Sequence, residues 1–102
     1  MARTVAIAAT ASPGAALEWA REITKYVNET LNLAHPMRLY QPLFGGLHKL
    51  TWTAEFEDLT DYEAFMVRVE SDAGYQERIR ASREAGNFDL PSLFHMTYRQ
   101  IV

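Results

Sequence analysis

The sequence predicts one α+β domain in the order βαββαβ, with its four strands in an antiparallel sheet. Three observations carry that expectation. Two apolar stripes at helical spacing each follow a helix-start signal. A glycine pair, Gly45-Gly46, separates two runs of strand character. Short β-compatible runs stand near both ends of the chain. A length of 102 residues suits a single domain, read as spanning residues 1–102.

The first strand is read from Arg3 to Thr10 and ends at Ala11-Ser12-Pro13-Gly14. Ser12 before Pro13 supplies an N-cap followed by a proline at the first helical position. Ala16, Trp19, Ala20, Ile23, Tyr26, Val27, Thr30 and Leu31 then make a helical stripe, closed by Asn32 and His35-Pro36. Met37–Phe44 and Leu47–Phe56 read as a hairpin. Thr60 and Glu63 form a capping-box pattern ahead of a helix carrying Tyr62, Phe65, Met66 and Val69. Ser71-Asp72-Ala73-Gly74 breaks it. A second piece carries Tyr75 and Ile79 and stops at Gly86. Residues 87–92 read as a loop and Leu93–Val102 as the last strand. The order is that of the split βαβ, ferredoxin-like unit.

The crossover rule is read as placing strands 1 and 3 side by side and parallel in the middle. Strands 4 and 2 then take the edges, antiparallel to their neighbours. A turn at Gly45-Gly46 pairs Tyr40 with Thr51 and Leu39 with Trp52, and paired residues share a face. The more apolar set, with Leu39, Leu50, Trp52 and Ala54, is assigned to the helices, together with Val5, Ile7, Ala9, Phe94, Met96 and Tyr98. The bare face receives Arg38, Tyr40, Lys49, Thr51, Thr53 and Glu55, with Thr4, Ala6, Ala8, Thr10, Leu93, His95, Thr97, Arg99 and Ile101. Ala6 and Ala8, small and flanked by larger groups, imply a hollow there. Two such sheets packed face to face would enclose a cavity suited to a small organic molecule.

Composition narrows the function. The net charge is -3, and no Lys/Arg cluster offers a nucleic-acid footprint. No run approaches the length of a membrane span, and the N-terminus lacks a signal-peptide pattern. The absence of cysteine excludes disulfides, thiolate metal sites and a cysteine nucleophile. A cytoplasmic protein with no metal and no cofactor is expected. His35, His48 and His95 are too scattered for a metal site.

The stretch WTAEFEDLTDYEAF (residues 52–65) and the following SDAGYQER (71–78) resemble a third strand running into a second helix in the dimeric α/β-barrel superfamily. The NIPSNAP-like and antibiotic-biosynthesis-monooxygenase-like group is the most similar. The resemblance implies a homodimer in which two ferredoxin-like sheets close into a barrel with the helices outside. The superfamily's activities range from cofactor-independent monooxygenases and haem-degrading enzymes to isomerases and polyketide cyclases. Residues 61–85 contain no histidine, unlike the haem-degrading members. His95 and Tyr98 do not match the cyclase spacing. No catalytic residue is therefore carried over.

The residues themselves nominate His95 and Tyr40 as catalytic. Imidazole moves protons near neutral pH, and a phenol can orient a phenolate or enolate. Arg38, Thr51, Thr53, Glu55, Thr97, Arg99, Ala6 and Ala8 are nominated as ligand-binding walls. Glu55 and His95 sit at the same end of the sheet, about 10 Å apart across two strand spacings. Two functions follow. One is a monooxygenase, cyclase or isomerase acting on a small aromatic or polyketide-like molecule in the barrel. The other is a binding or assembly protein whose barrel is plugged by side chains.

Overall fold

A computed structural model describes residues 1–43, 48–99 and 101. The elements are β1 (Ala2–Ile7), α1 (Pro13–Leu31), β2 (Arg38–Tyr40), β3 (Lys49–Thr53), α2 (Leu59–Ser71), α3 (Ala73–Ala85) and β4 (Phe88–Met96). The expected turn at Gly45-Gly46 lies outside the described residues.

α1 begins as its sequence requires. The Ser12 side chain accepts from the Ala15 amide, Pro13 occupies the first turn, and Asn32 closes the helix in the left-handed region at φ 49°. Ala16, Ala20, Ile23, Val27 and Leu31 form its buried stripe. The second helix starts earlier than the capping box suggested. Asp58 is the cap, accepting from the Asp61 amide at 2.8 Å. Asp72 ends α2 and starts α3, its carboxylate accepting from the Tyr75 amide. α3 ends at Gly86, φ 66°.

The sheet order is β2-β3-β1-β4, and every pair is antiparallel. This corrects the parallel central pair. α1 makes β1 and β2 parallel, and β3 lies between them running the other way. The hairpin register agrees with expectation: Leu39 faces Trp52 and Tyr40 faces Thr51.

The sheet is open. β2 and β4 are its two edges and do not pair with each other. The expected dimeric α/β barrel is therefore not what the structure shows: four strands are too few to close on themselves, and the described residues enclose no barrel interior to hold a ligand. The homodimer inferred from that barrel has no support in the structure either.

Helices cover one face. Val5, Ile7, Leu50 and Trp52 of the sheet pack there with the α1 stripe and with Phe65 and Val69 of α2; Leu50 is completely buried. Trp19 ties three elements together, donating its indole N–H to the Arg78 carbonyl at 3.0 Å and meeting Phe88 edge-on at 5.4 Å.

β4 departs most from expectation. It begins at Phe88, within the segment read as a loop, and it carries a bulge. Ala6 pairs with Asp89 and Thr4 with Phe94, so two steps along β1 answer five along β4. The odd excess reverses the alternation. Phe88 faces the helices, but beyond Pro91-Ser92 it is Leu93 and His95 that do so, while Phe94 and Met96 turn to the other face. This reverses the assignment of Phe94, Met96, Leu93 and His95. Ser92 seals the irregularity: its hydroxyl accepts from the Ala6 amide at 2.9 Å and donates to the Asp89 carbonyl.

No helix among the described residues is long and apolar enough to cross a membrane.

Candidate functional site

After the break at Asp72, α3 leans on α1, and a gap opens between the two halves of the helix and the β1–β4 side of the sheet. The gap is a slot of about 330 Å³. Its floor is Val5 and Phe88 from the sheet, and its walls come from Ile23 and Val27 of α1, Phe65 and Val69 of α2 and Ile79 of α3. Two leucines at the rim, Leu90 and Leu93, are 53% and 46% exposed, so the slot is reached directly from solvent. The polar groups in its wall include Arg3, Arg83, Glu70 and Gln76.

Arg3 links the slot to a short hydrogen-bonded chain. Its Nε and Nη2 both lie 3.2 Å from His95 Nδ1, and His95 Nε2 lies 3.0 Å from the Tyr62 hydroxyl. β1 positions Arg3 and β4 positions His95 opposite each other in the register. α2 positions Tyr62, whose ring is braced edge-on by Phe56 at 5.4 Å.

The bond directions follow from the donors. A guanidinium only donates, so Nδ1 of His95 accepts. The neutral ring then carries its proton on Nε2 and donates it to Tyr62 Oη. The Tyr62 proton is left pointing away from the histidine, free for another acceptor. The surroundings hold His95 in that neutral form. Partial burial lowers its pKa below the usual 6.5, and the nearby charges of Arg3 and the Met1 ammonium lower it further.

Arg3 forms no ion pair with a carboxylate among the described residues. Arg80, Arg21 and Lys25 have glutamate partners on their own helices, whereas Arg83 of the slot wall, like Arg3, is in no ion pair among the described residues.

The nominated residues do not assemble as expected. His95 and Tyr40 lie on opposite faces of the sheet. Tyr40 stands in a row with Thr51, Thr4 and Phe94, and Arg38 in a row with Thr53, Ala2 and Met96. Ala6 shares the helix-free face, between Lys49 and Asp89. On this face the Thr4 and Thr51 hydroxyls bond across the two central strands at 2.9 Å, and Lys49 stands beside Ala6. Ala8 follows the end of β1, bonding the Asn87 carbonyl, while Glu55, Thr97 and Arg99 are exposed beyond strand ends.

The residues that do meet, Arg3 and Tyr62 on either side of His95, with Arg3 alone of the three lining the slot, were legible only in part. Arg3 is the one charged residue in the otherwise uncharged run from Ala2 to Ala9, which marks it. Tyr62 was read as an apolar face residue, and nothing local in the sequence joins it to His95.

No family model, no curated protein and no solved structure matches the chain. The resemblance to the NIPSNAP-like group thus has no homology behind it, and the open sheet removes its structural basis.

Proposed function

We propose that this is a small-molecule-binding domain whose site is the slot between the helices and the β1–β4 half of the sheet. The observation that carries the reading is the slot itself. At about 330 Å³ it falls within the roughly 300–1,000 Å³ range of ligand sites. Its lining is mostly apolar with a few polar groups, the composition that binds organic molecules and fixes their orientation. His95 belongs to this site through Arg3. Tyr40, Arg38, Thr51, Thr53 and Ala6 take no part in it. The cysteine-free sequence supports placing the domain in the cytoplasm.

The test uses the neutral apolar fluorophore N-phenyl-naphthylamine. Its emission rises on binding and saturates at one molecule per chain. Leu93→Asp, at a rim position already half exposed, abolishes the rise without lowering the melting temperature. Emission that does not saturate, or that Leu93→Asp leaves unchanged, overturns the proposal.

A further inference from the structure

Resting on that reading of the slot, we infer that its ligand is an apolar carboxylic acid, whose carboxylate is taken by Arg3.

The argument starts from the guanidinium. His95 Nδ1 sits against the Nε–Nη2 side of Arg3. The Nη1–Nη2 end keeps its N–H groups, and a guanidinium end presents two parallel donors that match the two oxygens of a carboxylate. No carboxylate of the chain pairs with Arg3 among the described residues. The charges that act on His95 beside it, Arg3 and the Met1 ammonium, are both positive. Arg3 and Arg83 against the one carboxylate of Glu70 leave the charged side chains of the slot wall net positive, which favours an anionic end on an apolar body.

His95 is here a positioning residue: its Nδ1 accepts from the Nε–Nη2 side of Arg3 and so aims the other end of the guanidinium. A neutral ligand leaves the Arg3 charge without a counterion; a carboxylate supplies one.

The experiment follows amide-resolved NMR spectra of the isotope-labelled full chain during titration with sodium octanoate and, separately, with octanamide, which has the same tail and no charge. Octanoate is expected to shift the slot amides and to bind about ten-fold tighter than octanamide. Arg3→Gln brings the two affinities to within about two-fold. His95→Gln, which keeps an acceptor for Arg3, retains most of the preference. If both compounds bind the slot equally in the native protein, the acid inference is wrong and the slot reading stands. If neither shifts the slot amides, the slot reading itself is wrong.

Discussion

The Tyr26 hydroxyl donates to Asp72 Oδ2 at 2.6 Å, and this bond joins the middle of α1 to the break between α2 and α3. The same carboxylate oxygen accepts the Tyr75 amide at 2.8 Å, capping α3. The Arg78 guanidinium lies over the Tyr26 ring at 3.8 Å and donates to the Gly74 carbonyl. The angle at which α3 leaves α2, and hence the width of the slot, is fixed at this point.

This bond gives stability a dependence on pH at both extremes. The Tyr26 hydroxyl, then the Tyr75 amide, lower the Asp72 pKa below 3.8. That contribution is present above the unfolded value and is lost as pH falls through the lowered one. The Asp72 carboxylate, then burial, raise the Tyr26 pKa above 10.0. That contribution is present below the unfolded value and is lost as pH rises through the raised one. Tyr26→Phe is expected to lower the melting temperature by a few degrees at neutral pH and to flatten both limbs. Denaturant midpoints across the pH range check this.

Gly74→Ala tests how tightly the break is packed. Helix propensity favours alanine by up to about 1 kcal/mol, but a Cβ at Gly74 would lie 2.1 Å from Tyr26 Oη and 2.7 Å from its Cζ. Tyr26 has to move, and its bond to Asp72 is lost. The substitution is expected to destabilise despite the propensity gain. Combined with Tyr26→Phe, it should cost less than the sum of the two single changes, since both break the same bond. A double-mutant cycle by urea denaturation measures the coupling.

Ser92→Ala addresses the β4 bulge. The Ser92 hydroxyl is the acceptor for the Ala6 amide, and Ala6 is buried at 7% exposure. Leaving that N–H unpaired should cost about 1–3 kcal/mol. Hydrogen exchange at Ala6 should accelerate more than at Leu50, in the core of β3. Equal acceleration at both would mean that the loss is global and that Ser92 has no special hold on the bulge.

His95 predicts a loss of stability in mild acid. Its folded pKa lies below 6.5, so the unfolded chain takes up the proton first as pH falls. Stability is full above the unfolded value and declines as pH drops from there through the lowered one. Protonation also removes the acceptor that Arg3 uses and sets two cations side by side. His95→Gln is expected to remove this slope while leaving the acid-side slope of Asp72 intact. A His95→Gln profile identical to that of the parent would show that the ring nitrogens do not govern this window.

Local chemistry determined much of the fold. Ser12-Pro13, Asn32, the break around Asp72 and Gly86 mark helix ends because caps and left-handed residues act within a turn of where they stand. Strand alternation placed Leu39, Leu50 and Trp52 correctly, because a hairpin register is set by its neighbours. The interaction of distant elements was not so encoded. The reversal of face along β4 depends on a bulge held by Ser92 against Ala6, which no periodicity within residues 88–96 announces. The site arises from the same event: that reversal turns His95 from the helix-free face, where it was expected beside Tyr40, to the helix side, where it meets Arg3 and Tyr62. Which side chains share a pocket depends on how strands and helices stack, and that is decided by the sum of contacts across the whole chain.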